Sequence, residues 1–321
     1  MQPDIQPALT REQALVESIK QWTGERLIGD DCAVLPGGTL VTTDTLVEGT
    51  HFLPSIKFAD LGWKAVAVNL SDIAAMAGRP RYITTSLTLP PDIRPEKVEE
   101  LYRGMVECAR TYRTRIVGGD LTQGALVSVS ITALGDVHEK GCILRSTAQP
   151  GDIVAVTGDF GAAGAALTAL KAGSLSEFPH LTRAHFHPLP RLCESWALVR
   201  AAGPRAALMD ASDGLADALF QIGRESGVGM DIELSKVPVH VETRQAAERF
   251  ATPIEDFVLY GGEDYELVAA IDPQAWKTLS QSTYNPFVAI GAVSSSREIR
   301  LQGHSKLQLL DASKMYQHFR S

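Results

Sequence analysis

Apolar and polar positions along the first half of the chain follow two periods, one typical of helices and one typical of strands. After Pro95, apolar residues recur at three- and four-residue steps as far as Tyr112, which predicts an amphipathic helix that faces a sheet. Residues 11–22 also have a helical pattern. Segments rich in Thr, Val and Leu predict strands at Thr39–Asp44, Tyr82–Leu89, Arg115–Val117 and Leu126–Val137. Strands that alternate with helices predict an α/β fold with a half-buried sheet.

The second half resumes this alternation after a turn at Gln149-Pro150-Gly151. We predict a strand at Asp152–Thr157, followed by a glycine-rich bend and an alanine-rich helix. Further along, the pattern predicts a helix near 190–201, a helix after Ser212, a strand at Glu266–Ile271 and short terminal strands. Because 321 residues exceed the usual size of one domain, we expect two, divided near residue 148 into 1–148 and 149–321.

Composition narrows the class of protein. Hydrophobic residues make up 45% of the chain, enough to fill real cores, and the formal net charge is −8. Nucleic acids and anionic membranes favour basic partners, so this charge argues against both. The most apolar tract, Ile153 to Leu170, is interrupted by Asp159 and several glycines, which argues against a membrane-spanning helix. We therefore expect no nucleic-acid partner and no membrane partner.

The four cysteines, at positions 32, 108, 142 and 193, are far apart and include no Cys-x-x-Cys pair. This spacing favours neither a zinc site nor a dense disulfide pattern, so we expect reduced thiols. The first residues, Met1 to Pro7, contain neither a basic region nor an apolar stretch, unlike a secretory signal. Both observations predict a cytoplasmic protein.

Acidic segments beside glycine or hydroxyl residues are the main candidates for chemistry. They are Ile28–Asp31, Thr42–Thr45, Asn69–Asp72, Val117–Asp120, Asp210–Gly214, Gly261–Asp264 and Asp152 after Pro150-Gly151. Carboxylates and hydroxyls are hard oxygen ligands, and glycine lets the backbone approach a bulky anion. Together these residues predict Mg²⁺ ions that hold a polyphosphate, which makes nucleotide chemistry the leading hypothesis.

Taken singly, each segment has an ordinary structural explanation. Ser212-Asp213 before an apolar run is typical of a helix N-cap. Gly118-Gly119-Asp120 and Gly261-Gly262-Glu263-Asp264 each match ordinary turns. Asn69 and Asp72, three residues apart, would share one face of a helix. The chemical hypothesis therefore depends on the combination of segments.

Familiar nucleotide-binding loops are missing from the sequence. The phosphate-binding pattern Gly-x-x-x-x-Gly-Lys-Ser/Thr occurs nowhere. Gly158 to Gly164 follows a strand and opens a helix, yet its glycine spacing differs from Gly-x-Gly-x-x-Gly, so a simple bend is favoured over a dinucleotide site. Four further residues have ordinary explanations when each is taken alone. His51 would be a satisfied or surface histidine, and Arg145 would be a surface charge. Tyr102 would belong to the apolar stripe of the helix, and Phe319 would be an apolar anchor.

Six stretches follow one another in a specific order. They are Ile28–Ala33, Thr43–Phe52, Lys64–Met76, Gly118–Asp120, Ser212–Leu215 and Gly261–Leu267. This series resembles the thiamine-monophosphate kinase family, of the superfamily that includes aminoimidazole ribonucleotide synthetase and selenophosphate synthetase. The resemblance covers the chain from about residue 28 to its end. It departs from the family pattern at Leu121, where threonine is frequent, and at Met315–Phe319, where glycine precedes the aromatic residue.

The resemblance implies both a fold and an activity. The implied fold is the two-domain α/β (α+β) fold of aminoimidazole ribonucleotide synthetase. Its N-terminal domain, a mixed sheet with helices, would bind ATP and Mg²⁺ and form a homodimer; the C-terminal domain is α/β. The implied activity is phosphorylation of thiamine monophosphate to thiamine diphosphate, in thiamine diphosphate biosynthesis. ATP would be the co-substrate, and several Mg²⁺ ions would assist a direct in-line transfer.

Roles for individual residues follow from the same resemblance. Metal ligands are implied at Asp31, Thr42, Thr43, Asp44, Asp72, Asp120, Asp210 and Asp213, with Asp30 as a nearby candidate. Contacts to ATP are implied for Tyr102, Gly119, Asp120, Arg145 and Ser212. Contacts to the thiamine end are implied for His51, Glu263 and Phe319. The implied catalytic residues are Asp72, Asp120 and Asp213.

Other activities remain open on these residues. A synthetase of the same superfamily that activates another acceptor with ATP is the nearest alternative. A metal-dependent phosphohydrolase would use similar ligands to activate water, and a non-catalytic metal-binding protein would need only the carboxylates. The segment from Asp44 to Phe52 and the tail at Phe319 favour the thiamine branch.

Overall fold

The computed structural model describes residues 10–303, 307–316 and 318. Within that part of the chain, the first sheet consists of β1 (Ala33–Leu35), β2 (Thr39–Val47), β3 (Arg79–Leu89), β4 (Arg115–Gln123) and β5 (Ser128–Asp136). The strands lie in the order β1-β2-β5-β3-β4. Strands β3 and β4 are parallel, and the other neighbours are antiparallel. One edge of this sheet is therefore the nine-residue strand β4.

The first part of the chain forms helices α1 (Arg11–Thr23), α2 (Phe58–Ala75) and α3 (Pro95–Thr111), of which α2 and α3 pack on the first sheet. Helices α2 and α3 pack so closely that a side chain at Gly62 would collide with the carbonyl of Leu101, and one at Gly104 with the carbonyl of Ala59. The apolar residues of both helices share one core with the inward residues of the sheet. Helices α2 and α3 therefore cover one face of the sheet.

The second sheet follows the order β12-β11-β8-β10-β6-β9-β7. Its strands among the described residues are β6 (Ile153–Val156), β7 (Ala207–Asp210), β8 (Gly229–Glu233), β9 (Leu267–Ile271), β10 (Val288–Ser294), β11 (Ile299–Gln302) and β12 (Leu307–Leu309). Its helices there are α4 (Ala162–Lys171), α5 (Pro179–Phe186), α6 (Leu192–Ala202), α7 (Leu215–Ser226), α8 (Val241–Arg249), α9 (Ile254–Tyr260) and α10 (Pro273–Ser280). The apolar strand β9 is buried along its whole length.

The two sheets meet at the C-terminal end of α2. The Ser71 hydroxyl on α2 donates a hydrogen bond to Asp210 at the end of β7. Leu144, in the segment between the sheets, forms a bridge with Ala207 of β7. Ala75 shares a hydrophobic cluster with residues of the second sheet. This junction positions the end of α2 beside the end of β7.

Strand β2 presents different side chains on its two faces. The hydroxyl of Thr42 points to α2 and donates to Asp72, at 2.5 Å. The hydroxyl of Thr43, one residue later, donates to the carbonyl of Ile131, at 3.0 Å. Because successive side chains in a strand point to opposite faces, Asp44 lies on the α2 side with Thr42.

The predicted alternation of strands and helices is confirmed, and so is the mixed α/β fold class. The helix predicted at residues 11–22 is α1, and the stripe after Pro95 forms α3. The expected domain boundary near residue 148 stays a prediction; the first sheet ends at Asp136 and the second begins at Ile153. Among the described residues, no helix is both long enough and apolar enough to cross a bilayer.

Two local explanations offered for the acidic segments are wrong. Gly118-Gly119-Asp120 is part of β4 and not a turn, because β4 continues in parallel register with β3 through these residues. Ser212-Asp213 does not cap α7: the residue before the helix is Gly214, and no side chain accepts a hydrogen bond there. These segments are therefore available for other chemistry.

Candidate active site

Three carboxylates from distant parts of the chain converge at the junction of the two sheets. Asp31 lies two residues before β1, Asp72 lies on α2, and Asp210 ends β7. One oxygen of each lies within 4.8 Å of the others. We call these three residues the acidic cluster. The fold thus gathers side chains separated by up to 179 positions in the sequence.

The environment of the acidic cluster opposes negative charge. Burial raises the pKa of Asp72, and the neighbouring carboxylates of Asp44, Asp210 and Asp31 raise it further. Burial and Asp31 likewise raise the pKa of Asp210. At Asp31 burial raises the pKa although Arg145 acts in the opposite direction. Three ionised carboxylates at this separation repel strongly, so the cluster favours either protons or a cation.

The oxygens of the acidic cluster fit a hard divalent cation. Asp31 Oδ2 and Asp210 Oδ1 are buried and accept no hydrogen bond from the described residues. Two other oxygens are held in place: Thr42 donates to Asp72 Oδ2, and Ser71 donates to Asp210 Oδ2. Magnesium prefers oxygen ligands, usually from one or two carboxylates, and so suits this arrangement.

Asp44 and Asp30 lie next to the acidic cluster. The Asp44 N–H donates to Asn69 Oδ1, at 3.0 Å, which ties β2 to α2. Burial, followed by the charge of Asp31, raises the pKa of Asp44. Asp30 Oδ1 accepts from the backbone N–H of Arg145, at 2.9 Å. Asn69 and Asp72, predicted to share a helix face, both lie on α2 and both contact this region.

Arg145 is the cation that balances this negative group. Its Nη2 lies 2.9 Å from Asp31 Oδ1, and its Nε lies 3.7 Å from Asp30 Oδ1. The side chain is only 11% exposed. Its Nε donates no hydrogen bond within the described residues. Taken alone, Arg145 was explained by a surface charge, but its side chain lies largely buried in the site. Its predicted contact with ATP stays a prediction.

Tyr102 and Gly119 meet at Thr85 on β3. The hydroxyl groups of Tyr102 and Thr85 lie 2.9 Å apart. Gly119 pairs with Thr85 in the sheet, and a Cβ at Gly119 would lie 2.5 Å from Thr85 Oγ1. Only glycine fits between the two strands at this point. Two of the predicted ATP-contacting residues are therefore brought together.

Asp120 lies apart from the acidic cluster. It follows Gly119 in β4, so its side chain points to the opposite face of the sheet, where Thr122 donates to it at 3.2 Å. Strands β5 and β3 lie between Asp44 on β2 and Gly119 on β4, and the two residues are in register. Three strand spacings, roughly 14 Å, therefore separate Asp44 from Gly119. Thr43 also points away from the cluster. The predicted metal contacts of Asp120 and Thr43 stay predictions.

A cavity of about 640 Å³, which we call the large cavity, adjoins the acidic cluster through Asp44. Five of the predicted site residues line it: Asp44, His51, Ser212, Asp213 and Glu263. Burial, then the charge of Asp217, raises the pKa of Asp213 to about 7. Phe319, the other predicted contact to the thiamine end, lies outside the described residues. The cavity is thus polar and acidic on the side that faces the cluster.

His51 is a neutral hydrogen-bonding group of the large cavity. Its Nδ1 accepts from the backbone N–H of Val47, at 3.0 Å. Burial and the neighbouring His318 lower the pKa of His51. A neutral imidazole whose Nδ1 accepts carries its proton on Nε2. His51 therefore has an Nε2–H donor.

Glu263 is held by a buried lysine that the sequence pattern did not single out. Lys64 Nζ on α2 lies 2.7 Å from Glu263 Oε1, and the lysine side chain is 1% exposed. Although burial alone would raise it, Lys64 holds the pKa of Glu263 below its ordinary value. Glu263 has a φ of 59°, in the left-handed region that favours glycine. The one available signal was a lysine within an otherwise apolar helix segment.

Asp264 explains the glycine-rich bend after β6. Its carboxylate accepts from the N–H groups of Gly161 and Ala163, at 2.8 and 3.2 Å. These are the amides at the start of α4 that a dinucleotide phosphate would need. The bend is therefore a structural feature, as favoured from its glycine spacing.

Comparison with known families agrees with this geometry. The family profile of the AIR synthase related protein, N-terminal domain, matches residues 29–137, and that of the C-terminal domain matches residues 149–304. The chain is 36% identical over 320 residues to thiamine-monophosphate kinase from Synechococcus elongatus, covering 96% of each chain. It is 34% identical over 309 residues to thiamine-monophosphate kinase from Bacillus subtilis, covering 91% of this chain and 93% of the relative.

Solved structures show the same similarity. The structure described as AaThiL complexed with AMPPCP and TMP superposes with a TM-score of 0.84 at 30% identity, covering 94% of this chain and 97% of the other. Thiamine monophosphate kinase from Aquifex aeolicus gives a TM-score of 0.82 at 30% identity, covering 92% and 98%. The predicted two-domain fold of the AIR synthase type is thereby confirmed.

Proposed function

Because the chain belongs to the thiamine-monophosphate kinase family, it phosphorylates thiamine monophosphate with ATP, and we propose that the acidic cluster supports this reaction through Mg²⁺. The products are thiamine diphosphate and ADP. The observation that carries the proposal is the convergence of Asp31, Asp72 and Asp210 within 4.8 Å, next to the large cavity. Phosphoryl transfer asks a protein mainly for positioning and charge neutralisation, and this site is suited to both.

The acidic cluster would hold Mg²⁺ through Asp31, Asp72 and Asp210. The unpartnered oxygens Asp31 Oδ2 and Asp210 Oδ1 support this assignment. When bound, Mg²⁺ neutralises phosphate oxygens and orients them for in-line transfer. Asp44, Asp30 and Thr42 lie around the cluster and complete the set of oxygen donors there.

Further Mg²⁺ ions would be held by residues outside the cluster. Asp213 lines the large cavity, and burial raises its pKa to about 7, so a nearby cation would favour the ionised carboxylate. Asp120, on the edge strand β4, is the proposed ligand on the side of the sheet that faces away from α2. The separation of Asp120 from the cluster supports more than one ion.

The large cavity would receive thiamine monophosphate. Glu263 offers a carboxylate to the cationic ring system, and Lys64 keeps that carboxylate ionised and in place. The Nε2–H of His51 is directed by the hydrogen bond from Val47 to Nδ1. Because an acceptor phosphate oxygen is already nucleophilic, the transfer needs no covalent enzyme intermediate.

ATP would be held by residues of the first sheet and by Arg145. Tyr102 and Gly119, joined through Thr85, form a contact surface for the nucleotide. The unused Nε–H of Arg145 supports a charge-assisted hydrogen bond to a phosphate oxygen. Ser212, which lines the large cavity, is a further proposed contact to ATP.

The edge of the first sheet would form a homodimer. Among the described strands, β4 pairs only with β3 and leaves its other edge open; Val117 and Leu121 on β4 are 52% and 65% exposed. Exposed edge strands with apolar side chains readily pair with a second chain. A V117K/L121K variant should shift the protein from dimer to monomer in sedimentation, whereas V241K, at another exposed position, should not. Unchanged sedimentation of the first variant would refute this interface.

A reducing compartment suits the thiols of the chain. All four cysteines are free, and Cys32 and Cys108 are buried. Reduced thiols of this kind are typical of cytoplasmic proteins, and we place the enzyme there. Thiol titration of the protein purified without reductant should find four reactive groups after unfolding; disulfides would contradict this location.

One incubation tests the activity. The protein is mixed with ATP, Mg²⁺ and thiamine monophosphate, and the products are separated. Thiamine diphosphate supports the proposal, release of free phosphate alone supports a phosphohydrolase, and no reaction supports a binding protein. The D72N variant should lose most turnover with its fold intact. Near-normal turnover of D72N at saturating Mg²⁺ would contradict the metal assignment.

A further inference from the structure

A second cavity, of about 580 Å³, lies where β3 begins and α3 ends. None of its lining residues lines the large cavity. Tyr112, in its wall, follows Tyr102 by ten residues along α3, which corresponds to about 15 Å. We call this second cavity the arginine cavity. It is therefore separate from the proposed substrate and nucleotide contacts.

Arginines from three segments converge on the arginine cavity. They are Arg79 and Arg81 at the start of β3, Arg113 in the connection after α3, and Arg115 at the start of β4. Arg113 has a φ of 55°, in the left-handed region where glycine is favoured. Its conformation directs the chain from the helix into β4, where Arg115 pairs with Tyr82 of β3. The backbone thus brings four arginine residues to the wall of one cavity.

The charge of the arginine cavity is mostly unbalanced. Arg81 lies 3.5 Å from Asp136. Arg79, Arg113 and Arg115 form no ion pair with any residue that the structure describes. Among the residues that the structure describes, no acidic side chain lines the cavity, in a chain whose net charge is −8. Converging cations repel one another, so an anion in the cavity would be stabilised.

Aromatic side chains form the rest of the wall. Trp196 on α6 donates from Nε1 to the carbonyl of Gly78, at 2.7 Å, which fixes the indole. Tyr82 is 38% exposed, and Tyr112 is half-buried. Planar aromatic ligands stack on such rings, and guanidinium groups bind phosphate through paired hydrogen bonds. The wall therefore combines the two kinds of contact that a phosphorylated aromatic molecule needs.

We propose that the arginine cavity is a second ligand site, for an aromatic molecule that carries two or more phosphate groups. Three guanidinium groups without an ion pair among the described residues, beside the partly balanced Arg81, exceed the need of a single phosphate. A nucleotide and thiamine diphosphate share this chemistry, and both take part in the enzyme's own reaction. Because arginines supply the neutralising charge and no carboxylate of the described residues lines the cavity, binding there should not need Mg²⁺.

Calorimetry without metal tests this site. The full chain is titrated in excess EDTA with ATP, with thiamine diphosphate and with inorganic triphosphate. The R113E/R115E variant removes two arginines of the cavity, and R244E/K277E makes the same charge change at exposed positions of the second half. Should R113E/R115E not fold, R113A/R115A replaces it.

We expect wild type to bind at least one of the aromatic phosphates in EDTA. R113E/R115E should bind it about tenfold or more weakly, while R244E/K277E binds as wild type does. Tighter binding of ATP identifies a nucleotide site, and tighter binding of thiamine diphosphate identifies a site for the product. Turnover of R113E/R115E at saturating substrates and Mg²⁺ should match wild type.

Three results would overturn the proposal. They are no binding in EDTA, equal affinity in R113E/R115E and wild type, or equal weakening in R244E/K277E, which would indicate general charge alone. Inorganic triphosphate that binds as tightly as both aromatic phosphates would overturn the aromatic part of the site.

Discussion

Replacing Asp213 with asparagine should stabilise the metal-free protein at high pH. Burial, then the charges of Asp217 and Glu12, raises the pKa of Asp213 from 3.8 to about 7. Since this folded-state value lies above the unfolded one, the folded state holds the proton in the interval between them. Stability therefore falls as the pH rises from about 4 to about 7, and the loss is complete above that.

The size of the effect follows from the same values. A rise from 3.8 to about 7, at about 1.4 kcal/mol for each pH unit, corresponds to about 4 kcal/mol. Asparagine has no proton to lose and keeps the size of the side chain. D213N should therefore be more stable than wild type by up to about 4 kcal/mol at pH 8, with almost no difference at pH 4.

The assay is urea unfolding in EDTA at pH 4, 6 and 8, followed by circular dichroism. D92N, at an exposed position, serves as the control and should change little at any pH. D213N should also lose turnover when Mg²⁺ is present, so stability and activity move in opposite directions. The reasoning would be refuted if D213N were no more stable than wild type at pH 8, or if its gain in stability were the same at pH 4, 6 and 8.

Two further substitutions test individual contacts of the site. K64M leaves Glu263 without its cation and should lower the free energy of unfolding in urea by about 2 kcal/mol. Adding E263Q to K64M should restore most of this stability. A double variant as unstable as K64M would contradict a direct pairing. G119A should lower stability by about 1–3 kcal/mol and raise the KM for ATP more than the KM for thiamine monophosphate, because the new Cβ collides with Thr85. G118A, whose Cβ meets nothing within 4 Å, is the matched control and should leave both KM values unchanged.

Elements with a strong local period were predictable from the sequence. The apolar stripe after Pro95 and the helical pattern of residues 11–22 correspond to α3 and α1. Gly118-Gly119-Asp120 was misread as a turn because local glycine preference favours one. The decisive factor is the non-local pairing with β3, where Thr85 leaves no room for a side chain at Gly119.

The acidic cluster could not be derived from local pattern. The cluster combines a loop residue before the first sheet, Asp31, a helix residue, Asp72, and the last residue of a strand in the second sheet, Asp210. Only the family resemblance linked these three residues. Lys64 was missed since a lysine is rarely buried, and its partner Glu263 is 199 positions away. Local periodicity reports which face of an element is buried, but it does not report which distant carboxylate or ammonium group lies opposite.

The most direct test of the central claim is diffraction from crystals grown with Mn²⁺ in place of Mg²⁺, together with an ATP analogue. We predict an anomalous peak within coordination distance of oxygens from Asp31, Asp72 and Asp210. A map in which Mn²⁺ binds elsewhere, with those three carboxylates coordinating nothing, would contradict it.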